Sequence, residues 1–251
     1  MGSDIVGRSA LVTGSSRGVG RGIAERLAAS GYRVAVNGRD HQTVAEVVSG
    51  LDGSVPVTGD VSTPEGASAV IDETVAALGS LDVLVCNVGG GGSVPPGEET
   101  YDEWQRVFAL NLWSATNMVH AARTALRAAG GSIVCISSIC GLETVRDAPV
   151  TYSAAKSALH AYVRGIAWPL GKDGVRINAI AVGNMLFDGS VWSEQLAVKG
   201  DEVAAMLESQ VALGRFGVPD EVADLVEFLA SDRSGFATGA VWTLDGGQVH
   251  S

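Results

Sequence analysis

The chain has 251 residues, of which 46% are hydrophobic, and this is enough for one sizeable core. Its formal net charge of −11 argues against a general affinity for nucleic acid or anionic membranes. Three cysteines without a Cys-x-x-Cys pair argue against a zinc site or a disulfide framework, and no stretch reaches the length of a membrane span. We therefore expect a soluble, cytoplasmic protein without a bound metal.

Short runs of β-branched residues alternate with longer helical patterns along the chain. The predicted strands are 10–13, 33–37, 55–58, 83–86, 132–137, 176–181 and 240–244, and the predicted helices are 18–30, 41–50, 64–78, 100–128, 151–170 and 219–231. The apolar runs have few polar interruptions, which is typical of strands buried on both faces. The alternation predicts an α/β fold with helices on both faces of a parallel sheet, and we interpret residues 1–251 as a single domain.

Two segments interrupt this alternation at the carboxyl ends of predicted strands. Gly89–Gly97 is a loop rich in glycine and proline after the fourth strand, and Gly183–Gly217 is a long connection after the sixth. Open α/β sheets bind their ligands at such positions. We expect both segments to lie beside the ligand.

The first predicted strand ends in a glycine-rich turn, Thr13-Gly-Ser-Ser-Arg-Gly-Val-Gly20, and a helix follows it. Glycines let the backbone approach a pyrophosphate closely, and the amino terminus of a helix offers free N–H groups and the positive end of its dipole. The same glycines would also suit a tight strand-to-helix turn without a ligand. Their position between the first strand and the first helix favours nucleotide binding.

The end of the second strand lacks the acidic residue that usually binds the ribose hydroxyls of NAD. Position 38, which is 20 residues after Gly18, is a glycine, and Arg39 follows it. Arg17 lies within the glycine-rich turn, and two guanidiniums suit a ribose 2′-phosphate because arginine binds phosphate bidentately. The nearby Asp40 argues against this preference. The sequence predicts NADP(H) as the cofactor.

Tyr152 and Lys156 are four residues apart in a predicted helix, so their side chains share one face. A phenol ordinarily loses its proton near pH ~10, and an adjacent ammonium group favours the phenolate. Such a pair can donate a proton to a carbonyl oxygen. The same spacing also occurs by chance on solvated helices, so the pair indicates catalysis only together with the other features.

Taken together, these features resemble the short-chain dehydrogenases/reductases along nearly the whole chain. The matching segments are 13–20, Asp60-Val61, Asn87-Val-Gly89, Asn111, Ser138, Tyr152 with Lys156, 214–219 and 245–247. The resemblance implies a Rossmann-like, doubly wound sheet of seven parallel strands in a three-layer αβα sandwich. It also implies hydride transfer between a nicotinamide cofactor and a carbonyl or alcohol group.

The same resemblance implies four catalytic residues. Tyr152 would donate the proton, and Ser138 would hold the carbonyl oxygen. Lys156 would bind the nicotinamide ribose and lower the pKa of Tyr152, and Asn111 would anchor a water molecule of a proton relay to solvent. These roles agree with the chemistry that the Tyr152/Lys156 pair suggests by itself.

The cofactor-binding residues are implied in the same way. They are Gly14, Ser16, Arg17, Gly18, Val19, Gly20, Arg39, Asp60, Val61, Asn87, Gly89, Tyr152, Lys156, Gly183 and Met185. Asp60 would bind the adenine amino group with Val61 packed nearby. Asn87 and Gly89 would line the adenosine and the middle of the cofactor.

The serine lies at an unusual distance from the tyrosine. Ser138 is fourteen residues before Tyr152, whereas the family usually has thirteen. We choose Ser138 over Ser137 because Gly141 follows it by three residues, as in the family pattern. We infer one extra residue in the loop 142–150 and expect this loop to line the substrate pocket.

The chain also departs from the family pattern after the sixth strand. The family commonly has Pro-Gly-x-x-x-Thr there, and this chain has Val182 and Phe187 in place of the proline and the threonine. The threonine normally helps to hold the nicotinamide carboxamide, and Asn184 is the candidate to replace it. Trp192 either closes over the substrate or packs against Phe187 or a neighbouring subunit. We interpret His160 as a packing residue.

The first functional interpretation is an NADPH-dependent reductase that converts a ketone to a secondary alcohol, most similar in general pattern to 3-oxoacyl-acyl-carrier-protein reductases. Docking of a carrier protein usually needs a basic patch, for which Arg123, Arg127 and Arg176 are the candidates in this acidic chain. A sugar, polyol or secondary-metabolite ketone is the alternative substrate.

A non-catalytic NADP-binding regulatory protein is a further alternative, and the presence of all of Ser138, Tyr152 and Lys156 argues against it. Apolar residues spread over wide arcs of helices 100–128 and 151–170. Together with the family's habit of pairing through these helices, this predicts a homotetramer.

Overall fold

A computed structural model describes residues 7–145 and 148–249 of the chain. Within them, seven strands form one sheet: Ser9–Val12 (β1), Arg33–Gly38 (β2), Val55–Thr58 (β3), Val83–Cys86 (β4), Ser132–Ser138 (β5), Arg176–Val182 (β6) and Val241–Leu244 (β7). All neighbouring strands pair in parallel, in the order β3-β2-β1-β4-β5-β6-β7. The predicted doubly wound sheet of seven parallel strands is confirmed.

Helices connect the strands. They are Gly18–Ala29 (α1), His41–Ser49 (α2), Pro64–Leu78 (α3), Tyr101–Phe108 (α4), Ser114–Ala129 (α5), Val150–Lys172 (α6), Val191–Gln210 (α7) and Pro219–Ala230 (α8), with a π-helical turn at Ala109–Trp113 and 3₁₀ turns at Ile139–Gly141 and Asp232–Ser234. Pro64 and Pro219 occupy first helical turns, where a missing backbone N–H costs nothing. In the part of the chain described here, no helix is both long and apolar enough to cross a membrane.

The core consists of two buried clusters, one on each face of the sheet. On one face, α3, α5 and α6 contribute residues such as Val70, Leu126 and Leu159. On the other face, α1 and α8 contribute residues such as Ile23 and Val226. Because the strands are apolar on both faces, each cluster is closed by a helical layer, and the predicted three-layer αβα sandwich is confirmed.

The strand order reverses between β1 and β4, which opens a crevice at the carboxyl edge of the sheet. The ends of these two strands are joined there through Thr13. Its backbone N–H donates to the Val85 carbonyl at 3.0 Å, and its hydroxyl accepts from the Asn87 backbone N–H at 3.0 Å. The glycine-rich turn after β1 and the loop after β4 therefore lie side by side.

Two predicted elements need correction. The segment 183–217 is predicted as a long connection, but it contains α7, which begins after a Ser190 cap and consists of two helical parts that meet at a kink at Lys199. The sequence does not predict this helix, because Gly200 disfavours a helix and the surrounding polar and apolar residues show no clear helical spacing. The predicted helix 100–128 is divided by the π-helical turn at Ala109–Trp113, which the hydrophobic pattern does not distinguish from a regular helix.

Candidate active site

The glycine-rich turn has the geometry of a phosphate-binding loop. Gly14 and Gly18 have φ angles of 62° and 56°, which favour glycine. Gly20 lies so close to the Gly14 carbonyl and the Asn87 amide that a side chain there would collide with both. Helix α1 begins directly after Arg17, so its free N–H groups and positive dipole end meet this turn.

A cavity of about 530 Å³ opens beside this turn. Eight predicted cofactor residues line it, namely Gly14, Ser16, Arg17, Arg39, Asp60, Val61, Asn87 and Gly89. Gly18, Val19, Gly20, Tyr152, Lys156, Gly183 and Met185 are not among its lining residues. The cavity is thus the part of the site that would receive the phosphate- and adenosine-bearing half of a dinucleotide, and its glycines and arginines fit such a group.

The charges around this cavity favour a phosphate over a bare ribose. Arg17 and Arg39 are both exposed and line the cavity. Asp40, which follows Arg39, caps α2 by accepting the Thr43 N–H at 2.9 Å, and this bond keeps its pKa below its usual range. Asp60 accepts from the Ser62 N–H and hydroxyl, and these bonds, aided by the charge of Arg39, lower its pKa.

Asn37 also belongs to this site and is not among the residues predicted from the sequence. It is 1% exposed at the end of β2 and donates to the carbonyls of Val57 and Gly59, while its Oδ1 accepts from the Gly14 N–H at 3.4 Å. It thereby connects the ends of three strands under the cavity. A lone amide within an apolar strand was the signal that could have identified it.

Lys156 and Asn111 meet at Gly89. A methyl group on Gly89 would lie 2.9 Å from Asn111 Oδ1 and 3.0 Å from Lys156 Nζ. Asn111 is 1% exposed in the π-helical turn, where it accepts from the Gly90 N–H at 2.9 Å and donates to the carbonyls of Gly90 and Val107. The turn directs this amide at the loop after β4 and so fixes that loop beside the lysine.

Lys156 is almost fully buried, and its Nζ donates to the Ile136 carbonyl at 3.1 Å. Burial lowers its pKa to about 8. Nζ lies 5.7 Å from the centroid of the Tyr152 ring. The predicted pair therefore occupies one face of α6, and the lysine is close to losing its proton at the upper end of the physiological range.

The Tyr152 phenol faces Ser138. Burial raises the pKa of Tyr152 to about 12, and hydrogen bonding by the Ser138 side chain opposes this increase. Desolvation dominates the Tyr152 pKa in this structure, and its predicted lowering by Lys156 stays a prediction. Tyr152 consequently holds its proton at neutral pH.

The two candidate serines have different surroundings. Ser138 accepts the Cys140 N–H at 3.2 Å and lies within reach of Tyr152, whereas the Ser137 hydroxyl is bonded to His160 Nε2 at 2.7 Å. The structure thus brings Ser138 to Tyr152. In the predicted pocket loop 142–150, residues 146 and 147 lie outside the described residues.

The segment after β6 supplies an apolar side to the phosphate turn. Phe187 lies against Gly18, where a methyl group would be 2.6 Å from its ring. The Met185 side chain is buried against Gly217, so only its backbone is free to face a cofactor. A methyl on Gly183 would lie 2.8 Å from the Asp245 Cα, and this close approach requires glycine.

Two residues that follow β6 contact residues that come later in the chain. The Asn184 amide is directed at the Met206 sulfur in α7, at 3.8 Å, and its contact with the nicotinamide carboxamide stays a prediction. Trp192 packs against Phe216 with ring centroids 5.3 Å apart, rather than against Phe187. Helix α7 is therefore joined to the segment that precedes α8.

Comparison with known proteins identifies the family to which the chain belongs. Residues 14–249 match a family model described as enoyl-(acyl carrier protein) reductase. An L-rhamnose 1-dehydrogenase (NAD(P)(+)) from Sphingomonas sp. is 34% identical over 96% of this chain and 96% of its own length. The chain belongs to the short-chain dehydrogenase/reductase family. It is thus an oxidoreductase of a family that acts on alcohol and ketone groups.

Other short-chain dehydrogenases/reductases show the same degree of likeness. A 3-oxoacyl-acyl-carrier-protein reductase from Staphylococcus aureus is 34% identical over 96% of this chain and 97% of its own length. The crystal structure of L-sorbose reductase from Gluconobacter frateurii, complexed with NADPH and L-sorbose, superposes with a TM-score of 0.93 at 28% identity and covers both chains fully. Relatives with different substrates therefore share this short-chain dehydrogenase/reductase scaffold.

Proposed function

We propose that this protein uses NADPH to reduce a ketone to a secondary alcohol. The observation that carries the proposal is the meeting of Tyr152, Ser138 and Lys156 at the carboxyl edge of the sheet, beside the phosphate turn. When bound, NADPH supplies the hydride. The chain's own residues then bind the carbonyl oxygen and deliver its proton.

Tyr152 is the proton donor in this proposal. With a pKa raised to about 12, the phenol is protonated at neutral pH and can donate as the carbonyl carbon is reduced. Ser138 holds the same oxygen, because a second donor stabilises the negative charge that develops there. The transfer leaves a phenolate, which the Lys156 ammonium stabilises until a proton returns from solvent. A relay through Asn111 stays a prediction.

NADPH is proposed over NADH because of the adenosine end of the cavity. Arg17 and Arg39 offer two exposed guanidiniums there, and Asp40 is committed to capping α2. No carboxylate ends β2, since Asn37-Gly38 occupies that position. Asp60, Asn87 and Gly89 would hold the adenosine and the middle of the cofactor, with Gly18, Val19 and Gly20 at the pyrophosphate.

The proposed substrate is a small polar ketone, such as a ketose, whose reduced form is a polyol. Arg123 and Arg127 pair with Asp173, and Arg176 donates to the carbonyl of Ser231. All three arginines lie at the amino edge of the sheet, opposite the catalytic residues, so they provide no docking patch beside the pocket. The relatives named for L-rhamnose and L-sorbose support the same substrate class.

A 3-oxoacyl thioester is the second candidate, and the relative from Staphylococcus aureus favours it. A panel of ketoses, polyols, β-keto esters and acetoacetyl thioesters separates the two, with NADPH oxidation or NADP⁺ reduction followed by absorbance. We expect the highest kcat/KM with a polyhydroxylated ketone. Faster turnover of the thioesters would reverse the order, and no turnover of any compound despite NADPH binding would favour a non-catalytic protein.

We also propose a cytoplasmic homotetramer whose chain forms one domain. Trp113 and Trp168 are 41% and 75% exposed on the segments around α5 and α6, and Phe236 is fully exposed near β7. These exposed aromatic side chains are candidates for burial between subunits and support the proposal. Light scattering at micromolar concentration is expected to give four times the chain mass, and a monomer would contradict the proposal.

A further inference from the structure

His160 has no place in the proposed chemistry, yet it is buried beside it. It lies in α6 one turn after Lys156 and is 2% exposed. Both of its ring nitrogens are bonded: Nε2 lies 2.7 Å from the Ser137 Oγ, and Nδ1 lies 3.2 Å from the Gly141 carbonyl oxygen. A buried histidine with two specific partners does more than fill space in the core.

The partners determine the tautomer of His160. A carbonyl oxygen can only accept, so Nδ1 carries the proton and donates to Gly141. Nε2 then accepts, and the Ser137 hydroxyl is the donor. The ring is neutral in this arrangement, consistent with a pKa that burial lowers to about 4, with the nearby Arg164 and Lys156 acting in the same direction.

The two partners of His160 lie on either side of Ser138. Ser137 precedes it, and Gly141 ends the 3₁₀ turn that follows it. The Gly141 carbonyl also accepts from the Ser157 hydroxyl at 3.0 Å, and a methyl on Gly141 would lie 2.7 Å from both His160 and the Lys156 backbone. The turn that carries Ser138 is therefore fixed to α6, which carries Tyr152 and Lys156.

We propose that His160 is a positioning residue that sets the distance between Ser138 and the Tyr152/Lys156 face of α6. This inference rests on the proposed reductase function and adds a residue to it. His160 does not touch the reacting atoms. It acts by holding the chain on both sides of Ser138, so that the serine hydroxyl and the phenol are directed at one carbonyl oxygen.

Three variants test this role. His160→Leu fills similar space without hydrogen bonds, His160→Gln restores one donor and one acceptor, and Ser137→Ala removes only the Nε2 partner. The matched control is Ser132→Ala, which removes a buried bond to the Leu229 carbonyl at the opposite end of the same strand. Stopped-flow and steady-state assays give kcat, the KM for ketone and the KM for NADPH, and thermal unfolding gives Tm.

We expect His160→Leu to lower kcat by about tenfold to a hundredfold, since displacement of a catalytic group by about 1 Å has effects of that size. The KM for NADPH should stay unchanged, His160→Gln should recover most of kcat, and Ser137→Ala should lie between them. Ser132→Ala should lower Tm and leave kcat unchanged. If His160→Leu or Ser137→Ala lowers Tm but keeps the wild-type kcat, the role is only structural and the proposal is overturned. Should His160→Leu fail to fold, Ser137→Ala decides by the same criterion.

Nitrogen NMR of the His160 imidazole tests the geometry without turnover. The wild-type protein is expected to show the neutral Nδ1–H tautomer at neutral pH, and Ser137→Ala should shift the Nε2 resonance. A protonated ring or an Nε2–H tautomer would overturn the positioning geometry. A wild-type protein that reduces no ketone but shows the Nδ1–H tautomer would instead refute the proposed function and leave the contact itself intact.

Discussion

The cofactor side and the substrate side of this site are built in different ways. On the cofactor side, the turn 13–20 is fixed by backbone bonds, by the buried Asn37 amide and by the half-buried Asn87 amide. On the side expected to bind the substrate, α7 bends at Lys199, and its Val191 and Val198 are 58% and 80% exposed. On the cofactor side, a ligand can approach the backbone closely. On the other side, a ligand would meet the side chains of α7, of which only Val203 is buried.

This difference indicates that one side of the site determines cofactor binding and the other determines the choice of substrate. Backbone groups and glycines bind a dinucleotide in a way that tolerates little change, because any side chain at Gly20 collides with the turn. Most residues of α7 are exposed, so changes there cost less packing than changes in that turn. Relatives named for L-rhamnose and L-sorbose match this chain over nearly its whole length, which is consistent with this division.

The largest expected effect is at the boundary between the two sides. Tyr152→Phe removes the proton donor, so kcat should fall by about 10²- to 10⁴-fold, the usual contribution of a general acid. NADPH binding, measured by fluorescence titration, should change little. Tyr162→Phe is the matched control, because Tyr162 lies in the same helix and packs on the core instead. Retained turnover in Tyr152→Phe would end the assignment of Tyr152.

A smaller effect is expected on the cofactor side alone. Arg17→Ala and Arg39→Ala should each raise the KM for NADPH about tenfold or more, because a charge-assisted bond to phosphate is lost. The KM for NADH should hardly change. Arg21→Ala, whose guanidinium is paired with Glu25 on α1, serves as the control for loss of positive charge. Equal effects on NADPH and NADH would argue against a 2′-phosphate site.

The pH dependence follows from Lys156. Its pKa is lowered to about 8, so the ammonium is present below that pH and is lost above it. The phenolate left after proton transfer then loses its neighbouring charge, and kcat for ketone reduction should decline as pH rises through 8. A pH–rate profile of kcat in saturating NADPH measures this. A profile that stays flat to pH ~10, where a free lysine titrates, would contradict the assigned role.

The smallest effect is expected on the substrate side. Trp192→Ala removes the ring contact with Phe216 and loosens the start of α7. The KM for ketone should rise a few-fold, and the KM for NADPH should stay the same. Steady-state kinetics with each substrate varied in turn separates the two constants. A larger change in the KM for NADPH than in the KM for ketone would place α7 on the cofactor side. The contrast between a cofactor side and a substrate side would then be wrong.

The cofactor side could be predicted from the sequence because its requirements are local. A glycine turn after a strand, the missing acid after β2 and a Tyr-Lys pair at helical spacing are all visible within short windows. The strand periodicity likewise predicted the parallel sheet. Val182 and Phe187 were visible as departures, but the contact of Phe187 with Gly18 was not, because the two are distant in sequence.

The substrate side was harder to predict because it depends on packing between distant segments. Gly200 concealed α7, and no pattern indicated that Asn184 would face Met206. The π-helical turn around Asn111 has the same apolar spacing as an ordinary helix. The two hydrogen bonds of His160 could not be predicted either. An apolar helical context predicts a packing residue whether or not its ring nitrogens are hydrogen-bonded.

The most direct test of the central claim is the fate of the cofactor's hydride. The protein is incubated with a polyhydroxylated ketone and NADPH deuterated at the transferable position, and the alcohol is examined by mass spectrometry and NMR. We predict one deuterium on the carbinol carbon, formed by the Tyr152→Phe protein about a hundredfold or more slowly. NADPH that binds but transfers no deuterium to any ketone of the panel would contradict the account.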